Sequence, residues 1–544
     1  MTTTNAEQIF KEFREHSAAE FFKKNRQMLG YSGAGRSLVT VVHEFVTNSI
    51  DAAEEAGILP DIEVVIKKIE NGSGDSNRYS IRVSDNGPGI PKNFVGRALA
   101  TVFAGTKFHR YMQQRGQQGL GAAGCVLFSQ ITTGKPVSVK SSTGKGKAYS
   151  CRLGINTATN KPVINDLQDI DENFRGLVVE GEYAGIRYES GDHSAYEYVR
   201  RTALANPHLQ IKLVDPANQE FLFVRSVEKM PRKPTVAQPH PAGLSTNDLL
   251  EFAHASQSRK ISSFLIDTFA RTTQNKIAEI RSIDGGIDLD KNPKQMTWDD
   301  AERLVNAFSK IRWIAPDADC VVPIGENQIK AAIKNILDPE YMSITERKPC
   351  IFRGGIPFIV EAAVAYGGGA GKRVEDGYVG NVIRFANKVP LLFDNASCAI
   401  SKAANDIDWK RYGLDMETQP VSILVNVSSV YIPYSGVGKE AIAQEDEIVE
   451  EIKLAVMEAA RGIQKYVRGK AQLSSSMSRY KAIARYVKQL SKDLGDLTEE
   501  DSKTIEKKLD KIIKRHFPKL EETAKDESGT EDAASEPEAE EDAA

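Results

Sequence analysis

The residues best suited to chemistry fall in three short words. The first is HEFVTNSIDAA, residues 43–53. Wound as a helix at about 100° per residue, Glu44, Asn48 and Asp51 share one polar stripe about 60° wide. A carboxylate and a carboxamide one turn apart are oxygen donors that suit a hard cation such as Mg²⁺, which keeps several waters. The carboxylate could instead accept a proton from water, and the same stripe also fits an ordinary solvated helix face. The second word, SDNGPGI at 84–90, follows the alternating segment YSIRV. Asp-Asn-Gly-Pro-Gly must turn sharply, and its glycines permit positive φ and close approach of a ligand to the backbone. An ionised Asp fixed there only accepts hydrogen bonds, so it could read an exocyclic amino group; a capped Pro-Gly turn would use the same residues. The third word, RGQQGLGAAG at 115–124, runs into the apolar CVLFSQI. Gly116, Gly119, Gly121 and Gly124 form a loop leading into a helix start, where unpaired N–H groups and the positive helix end attract anions. No strand precedes this loop at βαβ spacing, which excludes a dinucleotide-binding fold, and no P-loop occurs.

These words need elements to hold them. Residues 8–29 carry apolar groups at helical spacing with a break near Ser17, and a second helix is predicted from Ser37 to Ala56, stopped by Gly57 and Pro60. Strands are predicted at Ile62–Ile69, Tyr79–Val83, Val137–Lys140, Ala148–Leu153 and Leu177–Tyr188. The first 220 residues therefore read as an α/β sandwich of antiparallel strands with helices on one face. A Pro-rich linker, MPRKPTVAQPHPAG, then leads to a stretch, Thr246–Ile280, that is helical almost throughout. From about 312 the pattern predicts strands at Val321–Ile324, Phe358–Ala365, Val382–Phe385 and Val421–Val430. A helical run over Lys439–Leu494 follows, with a break near Gly469 or Ser474–Ser476, and then a short helix, Glu499–Arg515.

The order and spacing of the three words say more than any one of them. ExxxNSxDA, then DNGPGI about 35 residues on, then GxxGxGxxG after about 30 more resembles the N-box and two glycine boxes of the GHKL ATPases, over roughly residues 20–190. That superfamily includes gyrase B subunits, MutL, heat-shock chaperones and histidine kinases. The flanking segments HSAAEFFKKNRQMLGYSG, RALATVFAGTKFHRYMQQRGQQGLGAAG, RFANKVPLLFD and SVYIPYSGVGKEAIA are similar to the B-subunit family of DNA topoisomerase VI. The resemblance implies a GHKL α/β sandwich, a helical helix-two-turn-helix insert and an α+β transducer ending in a long helix. The implied boundaries are 1–228, 229–311 and 312–470, with a partner-contacting helical extension at 471–520; the acidic tail at 521–544 lies outside the resemblance and, with almost no large apolar residue, is expected to be disordered.

The resemblance also implies roles. Glu44 would be the general base, Asn48 the Mg²⁺ ligand, and Asp85 the acceptor of the adenine amino group. Gly87 and Gly89 would shape the base pocket. Thr106, Lys107, Gly116, Gln117, Gln118, Gly119, Leu120 and Gly121 would surround ATP in the lid, and Lys439 would reach the terminal phosphate from the transducer. One position departs from the family pattern: FRGLVVEGE places Leu177 where a Thr is common, so Leu177 is kept out of the binding set. The implied activity is ATP-dependent homodimerisation driving DNA strand passage. The implied partners are double-stranded DNA and a separate cleavage protein like the A subunit of topoisomerase VI, in an A2B2 heterotetramer. No Toprim-like EGDSA or DxD run is present, so cleavage by this chain alone is not expected. Arg259, Lys260 and Arg271 are candidate DNA contacts. The alternatives are a MutL-like mismatch-repair ATPase, which would not be expected to carry the insert at 240–310, and a GHKL chaperone.

Composition bounds the rest. A chain of 544 residues has length for about three or four domains. Its five scattered cysteines form no CxxC pair, which argues against a disulfide framework or zinc ribbon and favours a reducing, cytoplasmic compartment. No apolar run approaches the roughly 18 residues of a membrane span. The net charge of −3 averages two unlike parts. Residues 521–544 hold eleven acids and one lysine, whereas residues 1–520 hold 70 basic and 63 acidic groups, a net of +7. A basic body permits contact with a polyanion.

Overall fold

A computed structural model describes residues 17–69, 77–104, 112–116, 119–314, 319–375, 377–436 and 438–516. The chain divides into two units. One runs to Gly462 apart from Lys410–Leu414; the other joins Lys410–Leu414 to the residues from Ile463 onward.

The first unit begins with α1 (Ala18–Lys24), capped by the Ser17 side chain, and a 3-10 turn at Arg26–Leu29. Helix α2 (Ala34–Ala56) buries Leu38, Val42, Phe45, Val46, Ile50 and Ala53 and ends at Gly57. Gly57 has φ +72°, and its N–H turns back to the carbonyls of Ala53 and Glu54. The sheet under α2 has eight strands. They are β1 (Asp61–Lys68), β2 (Arg78–Asp85), β3 (Val137–Ser142), β4 (Ala148–Asn156), β5 (Lys161–Ile170), β6 (Gly176–Ala184), β7 (Gln210–Val214) and β8 (Glu220–Phe223). Their order is β5-β4-β3-β6-β2-β1-β7-β8. All neighbours are antiparallel except β1 and β7, so the sheet is mixed and not wholly antiparallel as expected. Alternation sets the faces: Ile62, Val64 and Ile66 of β1 and Tyr79, Ile81 and Val83 of β2 are buried, and the residues between them are more exposed. Helices α3 (Val95–Leu99), α4 (Gly121–Thr133) and α5 (Ala195–Ala205) complete this layer.

Residues 244–311 form a separate all-helical core. The expected single helical stretch is three helices, α6 (Thr246–Ala255), α7 (Ile261–Thr268) and α8 (Gln274–Ile283), followed by α9 (Trp298–Lys310). Capping boxes at Ser245/Asp248 and Thr297/Asp300 start α6 and α9.

Helix α10 (Glu326–Ile336) leads into a second sheet of β9 (Tyr341–Glu346), β10 (Cys350–Phe352), β11 (Ile356–Tyr366), β14 (Asn381–Ala386), β15 (Val389–Pro390) and β16 (Val421–Ser429), with β12 (Lys372–Val374) and β13 (Gly377–Val379) as a separate hairpin. Every residue of β16 is buried. Asn387 and Lys388, both at positive φ, form the two-residue turn from β14 to β15. Leu204 and Ala205 of α5 pack into the core of this second sheet, joining the two layers. Val321–Ile324, expected to be a strand, is none, and among the described residues it joins no sheet. Val322 instead exchanges hydrogen bonds with the Gln113 side chain, and Ile324 donates to Glu361. Helix α11 (Ala399–Asn405) packs against β14.

The long C-terminal helix α12 spans Asp446–Thr498 and passes through Gly469 and Ser474–Ser476 without the expected break. Its start lies later than expected because Tyr434 and Ile442 form a β-bridge, with Lys439 in the turn between them at φ +54°. In the second unit the carbonyl of Arg411 accepts from Gln464, 2.7 Å, and α13 (Ser502–His516) follows α12.

Candidate nucleotide site

A cavity of about 550 Å³ opens between α2, the end of β2, β6 and the start of α4. That volume suits a small-molecule ligand or cofactor.

Its floor is built around Asp85, the last residue of β2. Oδ1 accepts from the main-chain N–H groups of Gly87, 2.9 Å, and Leu177, 3.1 Å, and Oδ2 accepts from Ser49 Oγ, 2.6 Å. Burial pushes the Asp85 carboxyl pKa up, and these three donors partly offset the rise. The backbone crowds closely here. Gly89 sits at φ +67°, and a Cβ there would lie 2.2 Å from the Ser142 carbonyl oxygen. A Cβ on Gly176 would lie 1.9 Å from the Asp85 carbonyl oxygen. The following turn is pinned to β3 and β4, since Ile90 N–H donates to Ser141 Oγ and Tyr149 Oη–H donates to the Ile90 carbonyl, both 2.8 Å. Ile90, Phe94 and Leu177 line the apolar part of the cavity.

At the other end, α2 presents Glu44 and Asn48. The Glu44 carboxylate lies against the first turn of α4, so close that a Cβ on Gly121 would come within 1.8 Å of it. A carboxylate at a helix N-terminus is electrostatically favoured. Gly116, Gly119 and Leu120 line the cavity between Asn48 and α4. Lys439 reaches the same cavity from the 434–442 turn, and its Nζ donates to the Arg115 carbonyl, 3.3 Å. Beside it, Glu440 accepts from Arg36 Nε, 2.9 Å, at the start of α2, and Arg36 also pairs with Asp394, 3.3 Å. The arrangement combines a hydrogen-bond acceptor buried beside an apolar slot with a carboxylate, a carboxamide, an ammonium and a helix N-terminus: a site for a base and a polyanion on one ligand.

Residues 33–157 match the family model of the histidine kinase-, DNA gyrase B- and HSP90-like ATPases, and residues 316–479 match that of the topoisomerase VI B subunit transducer. The chain is 42% identical over 507 residues to the B subunit of type 2 DNA topoisomerase 6 from Methanothermobacter thermautotrophicus, covering 92% of this chain and 96% of the relative. This chain belongs to the B-subunit family of type 2 DNA topoisomerase 6. Relatives of the same description from Thermococcus sibiricus and Pyrococcus horikoshii are 38% and 37% identical over 575 and 555 residues. These alignments cover 97% and 93% of this chain and 100% and 96% of the relatives. The fold is thus a GHKL ATPase domain joined to a topoisomerase VI transducer, and the mismatch-repair and chaperone alternatives fall away.

Within this topoisomerase VI fold, Glu44, Asn48, Asp85, Gly89, Gly116, Gly119, Leu120, Gly121 and Lys439 line one cavity, and Gly87 shapes its floor through Asp85. Thr106, Lys107, Gln117 and Gln118 lie outside the described residues. Asp51 leaves the expected stripe. It does not line the cavity and is instead taken up by Arg115, whose Nη1 donates to it, 2.8 Å. Gly124 packs against Leu29 and Tyr31, away from the cavity. Leu177 contributes both its side chain and the N–H that holds Asp85. Arg259, Lys260 and Arg271 are exposed on the helical insert, and Lys260 pairs with Asp290, 2.9 Å. Sequence reasoning missed Ser49, Gly176 and Arg115. Ser49 sits in the N-box and Gly176 precedes the departing Leu177, so both had a local signal; Arg115 had none beyond adjoining Gly116. Among the described residues no helix is long and apolar enough to cross a membrane, and no cluster of three or more His, Cys, Asp or Glu could hold a metal.

Proposed function

We propose that the chain is the ATP-operated gate of a type 2 topoisomerase. The observation that carries this reading is that Glu44 of the ATPase domain and Lys439 of the transducer line one cavity whose far end is Asp85. Asp85 would accept from the adenine amino group beside the slot of Ile90, Phe94 and Leu177. Gly87 and Gly89 would shape that pocket. The α4 N-terminus, Gly116, Gly119, Leu120 and Gly121 would surround the phosphates together with Thr106, Lys107, Gln117 and Gln118. Glu44 would take a proton from the water that attacks the terminal phosphorus, yielding ADP and phosphate. Lys439 would stabilise charge developing on the phosphoryl oxygens. Asn48, an oxygen donor one turn from Glu44, fits a Mg²⁺ completed by phosphates and water; the ion would neutralise phosphate charge.

Two copies would dimerise when ATP binds, because only the triphosphate engages Lys439, and differential contacts are what bias a two-state element. The motion would pass through α12 to a separate cleavage protein in an A2B2 assembly on double-stranded DNA, with Arg259, Lys260 and Arg271 as candidate electrostatic contacts. The division 1–228, 229–311, 312–470, 471–520 and 521–544 belongs to the same proposal and is supported by the separate core at 244–311. Placement in the cytoplasm is proposed with it. The test is decatenation by the complex with its cleavage partner, supplied with ATP, with a non-hydrolysable analogue, or with neither. Strand passage should require nucleotide, and Glu44→Ala should bind ATP yet turn over at least about 100-fold more slowly. Decatenation indifferent to nucleotide would refute the gate, and near-normal turnover would remove Glu44 as the base.

A further inference from the structure

The glycine loop over the cavity starts from an unusually firm footing. Its approach, Gln113–Arg115, is buried, and each of the three residues is tied to a different place. Gln113 exchanges two hydrogen bonds with the main chain of Val322, and the Gln114 carbonyl accepts from Asn387 Nδ2, 3.2 Å. Arg115 is the centre of the group. Its Nη1 and Nη2 donate to the two Glu54 oxygens, 2.8 and 2.7 Å, Nη1 also to Asp51, 2.8 Å, and Nη2 also to Asn206 Oδ1, 2.6 Å. Asn206 in turn donates to the carbonyl of Lys388 in the β14–β15 turn, 3.1 Å. Asp51 and Glu54 stand on the same helix as Glu44 and Asn48, one and two turns beyond Asn48. The next residue, Gly116, is the first of the glycine loop, and the Arg115 carbonyl is the acceptor for the Lys439 ammonium.

We propose that Arg115 is a positioning residue for ATP hydrolysis: its buried fork fixes the footing of the glycine loop to α2 and thereby sets its own carbonyl as the perch that aims Lys439 into the cavity. The proposal rests on the role given to Lys439 above. A planar, bidentate fork explains why the residue is Arg, since Lys is a point charge that cannot hold two carboxylates and a carboxamide in one plane. Coulombic support reinforces the geometry. Burial alone would raise the Glu54 pKa, but Arg115 and His208 reverse this and hold its carboxyl well below the usual range. The carboxylate therefore stays charged and holds the guanidinium.

The test is a double-mutant cycle on the full chain in complex with its cleavage partner, reading ATP turnover, KM and the affinity for a non-hydrolysable ATP analogue. Arg115→Lys should lower kcat about tenfold, because small displacements of a positioning group are costly to rate. A neutral replacement, Arg115→Met with Asp51→Asn and Glu54→Gln, removes the guanidinium together with both carboxylates bonded to it, and its melting temperature reports whether it folds. If Arg115 acts through Lys439, then Arg115→Lys should change kcat less than about twofold in a Lys439→Ala background. A merely structural arginine would give additive losses in kcat instead, and that result overturns the proposal while leaving the role of Lys439 intact. Unchanged kcat in both Arg115 variants also overturns it. Normal turnover by Lys439→Ala overturns the role of Lys439 and this proposal together.

Discussion

Gly57 and Gly89 both sit at positive φ, yet they are not equivalent. Nothing lies within 4 Å of a Cβ built on Gly57, whereas one built on Gly89 collides with the main chain of Ser142. Gly57→Ala should therefore cost only the conformational strain, about 1 kcal/mol, and Gly89→Ala about 3 kcal/mol or more because backbone must also move. Denaturant unfolding of the two variants compares them directly, and equal losses would contradict the close approach seen at Gly89. Among single residues, the sequence made Glu44, Asn48 and Asp85 legible because residue type and spacing along one helix or turn are local properties. Arg115 was not legible, because its meaning lies in partners as far as 91 positions away, and Ser49, although inside the N-box, owes its role to Asp85, 36 positions on. Leu177 shows the limit most clearly: the main-chain N–H that matters is present whatever the side chain, so the substitution that looked like a departure leaves that bond to Asp85 intact.

Elements differ in the same way. The 3.6-residue period of α2 and the alternation of β1 and β2 reflect burial on one face and were readable. Strand β5 was missed because most of its residues are exposed at the edge of the sheet and show no alternation. Val321–Ile324 was misread because an apolar run reports burial, not which group satisfies the backbone. The elements around α2 also carry a pH dependence. His208, just before β7, is buried and bonded to Glu54, 2.9 Å. Burial lowers its pKa from 6.5, the Glu54 bond opposes this, and the net shift is downward. The fold therefore favours neutral imidazole over the protonated form more than the unfolded chain does. Its stabilising contribution is complete above pH 6.5 and is lost as the pH falls below that value. His208→Gln keeps a donor for Glu54 but cannot titrate, so its unfolding free energy should fall less than that of the unsubstituted chain between pH 7.5 and 5.5. Identical pH profiles would show that His208 is not held neutral.

At the scale of the molecule, the linker near 230 and the change of pattern after it announced an independent helical core, and residues 244–311 form one. The joint between the ATPase sheet and the transducer sheet was not legible, since Leu204 and Ala205 reach the core of the second sheet, and Asn206 reaches Lys388, only in the folded chain. Charge, in contrast, is fully written in the sequence. Residues 521–544 carry a net of −10 against +7 for the rest. An acidic segment tethered to a basic body competes with DNA at low salt and loses that effect when screened. Truncation after residue 520 should tighten DNA binding about tenfold at 50 mM salt and by less than twofold at 300 mM. Unchanged affinity at low salt would reduce the segment to a solubilising extension.

The crowded floor around Asp85 bears on how the chain could escape a competitor of ATP. Side chains cannot be added at Gly89 or Gly176 without displacing backbone, and two of the three donors to Asp85 are main-chain N–H groups that only proline would remove. Resistance would have to arise at the apolar wall, at Ile90, Phe94 or Leu177, whose side chains face the cavity. A compound whose contacts fall mainly on the glycine turn and Asp85 would leave selection few places to act.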